Sequence, residues 1–434
     1  MSKYQSWGKF PPARHDVRVL HWRSQGLTLH DTPSTALPFG QGRSYGDCCL
    51  NDGGLLLATA GLNRFIHFDT ASGVLRCEAG VTLAEILKLS VPQGWFLPVT
   101  PGTKFVSVGG AIANDVHGKN HHRAGTFGRH LKSFELLRSN GERLTCSPST
   151  NESWFSATIG GLGLTGLITW AEIQLKPIHN PFIYVETLKF HTLEEFFQVA
   201  AKSVIRYEYT VAWVDCLSQG KSLGRGLFMR GNHAQAEYKG SPVARRRQIS
   251  LPCDLPSSTL NHFSTKVFNT LYYHTPRMPA QVLHYDSFFY PLDVIGNWNR
   301  LYGARGFFQY QCVLPDDDHG AIRAVLNTIA ASGMGSFLSV LKTFGDVTSP
   351  GMLSFPRKGV TLALDFSNQG NKTLSLFIKL DEIVCHYGGA VYPAKDARMP
   401  AAAFQKYFPQ WREFSHYVDP KFSSGFWRRV SADV

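Results

Sequence analysis

The sequence contains no apolar run long enough to cross a bilayer. Its longest, residues 54–60 and 337–341, fall far short of the roughly 20 residues that a spanning helix needs. The opening Met1-Ser2-Lys3-Tyr4-Gln5-Ser6-Trp7-Gly8 lacks the basic-then-apolar layout of a signal peptide. Cysteine is sparse and scattered: the eight, at 48, 49, 77, 146, 216, 253, 312 and 385, form no C-x-x-C pair and no zinc spacing. Low-complexity tracts and repeats of roughly 20–50 residues are missing as well, which excludes solenoids and propellers. The expectation is a reduced, cytoplasmic protein with no signal peptide or transmembrane helix.

Acidic residues are in deficit. Thirty-two Asp and Glu face 44 Lys and Arg, a net charge of +12, with a pI of about 9.3. That excess suits an anionic partner such as nucleic acid, a phosphorylated substrate or an acidic membrane surface. Adjacent arginines occur only at Arg245-Arg246-Arg247 and Arg428-Arg429, and no helix-turn-helix, zinc-finger or RNP-type string is present, so no nucleic-acid partner is expected. A merely solvated basic surface is the plain alternative.

At 434 residues the chain exceeds what one hydrophobic core usually spans, so two domains, or one interrupted by another, are expected. Residues 36–178 are rich in glycine and short apolar runs. Leu55-Leu56-Leu57-Ala58, Val74-Leu75-Arg76-Cys77 and residues 164–175 read as strands bounded by turns. Thr82-Leu83-Ala84-Glu85 is a capping box, and Leu83, Ile86, Leu87 and Leu89 follow before Pro92 closes the helix. From about 180 to 390 aromatic residues become dense, and alternation returns at residues 307–313 and 360–366. Residues 217–262, with many glycines and prolines, read as a loop-rich excursion, either a functional lid or partly disordered. The tail ends in a short helical pattern. Strands mixed with a few short helices predict the α+β class.

Four glycine-rich clusters stand out. In the first, Gly40-Gln41-Gly42-Arg43-Ser44-Tyr45-Gly46-Asp47, closely spaced glycines let backbone N–H groups converge on an anion, with Arg43 and Ser44 adding donors; an ordinary turn is the alternative. The second is Pro101-Gly102-Thr103 followed by Ser107-Val108-Gly109-Gly110-Ala111-Ile112-Ala113. Its small residues admit a large planar or phosphorylated ligand, or else the close packing of a helix on a sheet. The third, His117-Gly118-Lys119-Asn120-His121-His122, would put two histidines on one helical face, but Gly118 and Asn120 disfavour a helix and no glutamate completes a metalloprotease motif. A ligand-facing loop is expected there, and no metal. The fourth contains G-x-G-x-x-G at Gly161, Gly163 and Gly166, with Glu186 twenty residues on. A dinucleotide fingerprint needs a helix after the glycines; here Leu167-Ile168-Thr169-Trp170-Ala171-Glu172-Ile173-Gln174-Leu175 alternates as a strand, so the match is a decoy.

In this order the clusters resemble the FAD-binding half of the vanillyl-alcohol oxidase/p-cresol methylhydroxylase (PCMH-type) flavoprotein superfamily. Within it, the strings at 42–47, 109–113, 115–122, 124–128, 308–311, 337–342 and 392–398 resemble the decaprenylphosphoryl-β-D-ribose 2-oxidase family over nearly the whole chain. The resemblance implies a PCMH-type FAD-binding domain over residues 1–181 and 390–434, with an inserted antiparallel-sheet substrate-binding domain at 182–389. Cofactor contacts are then expected from Gly40, Gly42, Arg43, Ser44, Tyr45 and Gly46, from Pro101, Gly102 and Thr103, and from Gly109, Gly110, Ala113 and Asn114. Further contacts are expected from His117, Gly118, Asn120, Gly125, Gly166, Ile168 and Lys395. Catalytic roles fall to Lys395, Tyr45 and His117, and substrate contacts to Gln309, Gln311, Lys342, Asp365, Trp213 and Phe289. Read without the resemblance, Lys395-Asp396 is a surface ion pair and Gln309 and Gln311 the exposed face of a strand.

The reaction implied is FAD-dependent oxidation of a sugar alcohol, the 2-hydroxyl of a polyprenyl-phosphoryl pentose, by hydride transfer to flavin N5. An NAD(P)H-dependent keto-reductase partner would complete epimerisation to arabinose, and contact with a membrane surface would suit the lipid substrate. Tyr45 stands where several relatives carry a flavin-linked histidine, so non-covalent FAD is expected. The chain departs from the family at Ala363, where mycobacterial members carry a pocket cysteine, and at Phe289, where a tyrosine is expected. Two other readings remain: a soluble alditol, aldonolactone or sugar oxidase, and a non-catalytic flavin-binding module that recruits a membrane.

Overall fold

The computed structural model describes residues 4–27, 29, 34–238, 249–256, 259–315 and 319–432. Helices and several sheets mix in it, as the α+β class requires. A small parallel sheet joins Asp16–Val19, Leu55–Ala58 and Ala36–Phe39. Beside it, a five-stranded antiparallel sheet runs in the order Phe65–Asp69, Val74–Glu78, Leu167–Gln174, Leu131–Leu137 and Arg143–Cys146. The helix Leu83–Ser90 begins at Thr82 with both capping-box hydrogen bonds made. Its Leu83, Ile86 and Leu87 are buried at helical spacing. After the decoy glycines comes the strand Leu167–Gln174, as its alternation predicts.

The third sheet has eight strands, ordered Ala280–His284, Phe182–Phe190, Gly226–His233, Tyr209–Val214, Ser339–Phe344, Gly359–Ser367, Phe307–Leu314 and Ala390–Val391. Its paired strands run antiparallel. Side chains alternate across a strand, and here the alternation sorts chemistry. Ala212, Val214, Phe308, Tyr310, Cys312, Leu341, Leu362, Leu364 and Phe366 point to one face and pack with the helices Leu193–Ser203, Gly320–Ser332 and Asn371–His386 into the largest core. Their neighbours Trp213, Gln309, Gln311, Lys342, Thr361, Ala363 and Asp365 point to the other face, into a cavity.

The structure corrects the reading of residues 217–262. Gly226–His233 is a strand paired on both sides inside the large sheet. Its glycines are there for close approach and not for a turn: a Cβ on Gly226 would sit 2.1 Å from the Trp213 carbonyl oxygen and 2.5 Å from the Phe190 ring. Residues 239–248, including the Arg245-Arg246-Arg247 run, and 257–258 lie outside the described residues.

The tail folds back as the helices Ala401–Tyr407, Trp411–Ser415 and Gly425–Val430. Backbone bonds from Ala36 N–H to the Lys421 carbonyl (2.7 Å) and from Ser423 N–H to the Ala36 carbonyl (2.9 Å) tie it to the small parallel sheet. No helix among the described residues is long and apolar enough to cross a membrane.

Candidate active site

One cavity of about 700 Å³ separates the glycine clusters from the open face of the eight-stranded sheet. That volume lies within the range of about 300–1,000 Å³ usual for small-molecule and cofactor sites. One wall is backbone-rich: Gly40, Gln41, Gly42, Arg43, Ser44 and Tyr45 from the first cluster, then Pro101, Gly102, Thr103, Gly109, Gly110, Ala113, Asn114, Gly166 and Ile168. Gly42 has φ +60°, a left-handed conformation that a Cβ would strain. Val108–Ala113 is a short helix capped by Ser107, and its paired glycines divide the two roles their smallness allows. A Cβ on Gly109 would press on the Ala79 Cβ at 3.1 Å, whereas one on Gly110 would meet only the Ser107 hydroxyl and otherwise fill the cavity.

The opposite wall is a grid of side chains set by strand register. Gln309 lies opposite Asp365 and Gln311 opposite Ala363. Val340 lies opposite Ala363 and Lys342 opposite Thr361, with Trp213 across from Val340. Gln309 Nε2 donates to Asp365 Oδ1 at 2.6 Å, and Asp365 Oδ2 is buried without a partner.

A third wall comes from the tail. Tyr45 N–H donates to the Ala394 carbonyl at 2.9 Å, and the Tyr392 hydroxyl donates to the Asn114 carbonyl at 2.8 Å. Lys395 therefore stands against the first glycine loop, its Nζ 3.9 Å from the centroid of the Tyr45 ring. The surface ion-pair reading of Lys395-Asp396 fails. The Asp396 carboxylate accepts from the backbone N–H groups of Arg398 and Met399 and from Arg429, 3.1 Å away, which also bridges to Asp47 at 2.7 Å. Gln311 is buried as well, which removes the exposed-strand reading.

The site is short of negative charge. Lys119, Lys342 and Lys395 are half-buried and line the cavity. Burial lowers Lys342 to about 7, helped by the neighbouring ammonium groups of Lys119 and Lys395, and burial alone lowers Lys119 to about 8. Burial also lowers Lys395 while the Asp365 carboxylate holds it up. Asp365 is raised, again by burial, against the opposing pull of Gln309 and Lys395. His117 is driven well below its ordinary value by burial and by Lys342, so its ring is neutral. Its Nδ1 lies 3.2 Å from Lys342 Nζ and its Nε2 3.0 Å from the Gln311 amide nitrogen. A neutral imidazole has one N–H and one acceptor. Of these two neighbours, one therefore donates to the ring while the other accepts from it, through a neutral Lys342 amine or a turned Gln311 amide.

Among the sequence-expected residues, Gly118, Trp213 and Phe289 line the cavity too. Gly46, Asn120 and Gly125 do not line it and are packed behind its walls. A Cβ on Gly46 would lie 1.7 Å from the Asp396 carbonyl oxygen. Asn120 is buried and donates to the Pro98 carbonyl at 2.8 Å, and Gly125 packs on Arg129 and Val347. His117 and His121 share no helical face, because the helix starts only at His121. Among the described residues no three His, Cys, Asp or Glu side chains gather as a metal site.

Sequence reasoning missed Lys119, Trp7, Asp293, Trp298 and Tyr392, which also line the cavity. Lys119 was within reach, as a lysine embedded in the histidine string; its Nζ donates to the Phe289 carbonyl at 3.1 Å. Trp7 carried no signal, because its place depends on a bond from its N–H to the Ser44 carbonyl and on the Arg43 guanidinium over its ring.

The cavity suits a flavin dinucleotide on its own geometry. A Cβ on Gly110 would fill the cradle, Asn114 Oδ1 is buried without a partner beside it, and glycine backbone faces cationic side chains across the gap. A family model for an FAD binding domain matches residues 29–147, the stretch that carries the first three clusters. The chain is 37% identical over 409 residues to a decaprenylphosphoryl-beta-D-ribose oxidase of Mycolicibacterium smegmatis, covering 90% of this chain and 88% of that protein. It is 32% identical over 370 residues to an uncharacterized protein of Streptomyces coelicolor, covering 81% of this chain and all of the relative. A human Delta(24)-sterol reductase is 30% identical over 141 residues, 32% of this chain and 27% of that protein.

Proposed function

The chain belongs to the decaprenylphosphoryl-β-D-ribose oxidase family, and from that membership we propose that it is an FAD-dependent oxidoreductase that converts the 2-hydroxyl of a polyprenyl-phosphoryl ribose to a ketone. The observation that carries this reading is Lys395, which lies over the Tyr45 ring in the cavity that Asp365 also lines and feels the Asp365 carboxylate there. Residues 1–181 and 390–434 form the FAD-binding part and 182–389 the substrate-binding part.

Bound FAD supplies the acceptor for the hydride that leaves the carbinol carbon. The glycine backbone at 40–45 and 102–113, with Arg43, Ser44 and Asn114, would hold the diphosphate and the adenosine half. Gln309, Gln311, Lys342 and Asp365 orient the sugar, and Trp213 and Phe289 exclude water beside it. Burial outweighs the pull of Asp365 toward the ammonium form and leaves a fraction of Lys395 as free amine at neutral pH, able to accept the hydroxyl proton. Once protonated, Lys395 is the cation that balances the charge carried onto the ring. Tyr45 backs that ammonium with its ring face, and neutral His117 fixes the Lys342 head. The cationic cavity also suits the phosphodiester of the substrate.

Non-covalent FAD is supported by Tyr45 in the first loop and by the engagement of both His117 ring nitrogens. The 2-keto product calls for a keto-reductase partner working in the same compartment, the cytoplasm. Anaerobic addition of a prenyl-phosphoryl ribose to the yellow protein tests the reading. Bleaching of the flavin absorbance is expected. Bleaching by free alditols or aldonolactones instead would make it a soluble sugar oxidase, and no bleaching by any alcohol would leave a non-catalytic flavoprotein.

A further inference from the structure

The helix His262–His274 is built inside out. Thr265, Asn269 and Tyr273, spaced four apart, are its buried residues. They are polar and two of them bond inward, Asn269 Nδ2 donating to Asp215 Oδ1 at 3.0 Å and the Tyr273 hydroxyl lying 2.9 Å from His191 Nδ1. The exposed face carries Phe263, Val267 and Leu271 at the same spacing, and they are 75%, 41% and 64% exposed. A soluble surface helix normally shows the reverse, and a contiguous exposed apolar patch marks an interaction site.

The stripe is continuous with the cavity. Phe268 and Tyr272 stack on the same helix, with ring centroids 5.5 Å apart, and both line the cavity mouth. From there aromatic contacts lead inward, Tyr272 to Trp213 at 4.8 Å and Phe268 to Phe337 at 5.8 Å. The charge that the segment itself carries has one sign. No Asp or Glu occurs between Asp254 and Asp286. Lys266 flanks the stripe, and the Arg277 guanidinium lies over the Tyr272 ring at 4.3 Å.

We infer that the Phe263/Val267/Leu271 stripe with Lys266 and Arg277 is a docking surface for an anionic phospholipid bilayer, seating the cavity mouth on the membrane that holds the prenyl chain. Apolar side chains at the acyl boundary with cations at the headgroups is the arrangement by which interfacial helices bind membranes. The absence of Asp and Glu from residues 255–285 is what contact with anionic headgroups requires of this segment. The inference rests on the prenyl-phosphate reading above, and gives that reading a route by which an insoluble chain reaches a buried site.

The test is flotation of the whole flavin-loaded protein with vesicles of phosphatidylcholine, with and without phosphatidylglycerol. The expected result is binding to the mixed vesicles that weakens as salt rises. It should fall on the order of tenfold or more in the double variant Phe263→Ser/Leu271→Ser. Lys266→Glu/Arg277→Glu, which leaves the apolar stripe intact, should lose the preference for phosphatidylglycerol. The visible flavin spectrum verifies folding of each variant. Equal vesicle binding by variants and wild type, or none by the wild type, would overturn the inference. So would a wild-type dimer in light scattering that the serine variant converts to monomer, since the stripe would then cover a second copy. Bleaching by a water-soluble short-chain prenyl-phosphoryl ribose is read separately: loss of docking with bleaching intact removes only this inference, and loss of bleaching with docking intact removes only the proposed chemistry.

Discussion

The Lys395 ammonium lies over the face of Tyr45, 3.9 Å from the ring centroid, although the two residues belong to opposite ends of the chain. The ring gives the cation a partner that cannot accept its proton, so the lysine is stabilised without being neutralised.

Lys395→Ala should keep its yellow colour and lose about 10²–10³-fold in the rate of flavin reduction by substrate. Stopped-flow absorbance under anaerobic conditions measures it. Equal rates in mutant and wild type would remove Lys395 from the chemistry.

The two glycines of the short helix predict different failures. Gly110→Leu should give folded but colourless protein, because its side chain enters the cavity. Gly109→Leu meets Ala79 at 3.1 Å instead and should cost about 1–3 kcal/mol of stability. Flavin content and denaturant midpoints distinguish the two.

Much of the local fold, though not the division between Gly109 and Gly110, was legible in the sequence. The capping box at Thr82, the strands at 55–58, 74–78, 307–314 and 359–367, and the strand behind the decoy glycines all rest on local rules that the packing did not override. The site was less legible from chemistry alone, since Gln309 and Lys342 read as ordinary strand residues until register puts them on one face. The strand at 226–233 was hidden because glycine in a crowded sheet and glycine in a turn look alike in sequence. Lys119 and Trp7 owe their places to contacts made across the fold.

Lys342 predicts a pH dependence of stability. Its ordinary value is 10.5 and its folded value about 7. Between these the unfolded chain binds the extra proton, so the contribution of Lys342 becomes more favourable as pH rises, by at most about 1.4 kcal/mol per unit. Below about 7 both states are protonated and the penalty is constant. Lys342→Met should therefore melt above wild type at pH 7, and the gap should close toward pH 10. A gap that stays the same across that range would contradict the burial of a charge there.

Cysteine reagents should leave the wild-type activity intact. Cys48 and Cys49 line the cavity, but burial raises both, Cys48 to about 12, and a thiol rather than thiolate reacts slowly. Ala363→Cys places a thiol on the lysine-bearing face of the sheet, where cations favour the thiolate. Maleimide should then inactivate the variant, with one extra label by mass and protection by substrate; an unlabelled variant would refute that placement.

Arg429 bridges Asp47 and Asp396. Arg429→Ala leaves two buried carboxylates without their cation and should cost about 3–5 kcal/mol, with flavin lost before the protein melts. A Tm within a degree or so of wild type would show the bridge to be dispensable.

The same bridge sets a timetable for biosynthesis. Its two ends are 382 residues apart in the chain, so at ribosomal speeds the glycine loop emerges roughly half a minute before the helix that clamps it. During most of that interval the nascent protein presents a half-built cleft that still lacks Lys395. Capture of the cofactor is thereby deferred to the last moments of translation, and a message truncated shortly before Arg429 would yield a chain that carries nearly every residue of the site and cannot retain its flavin.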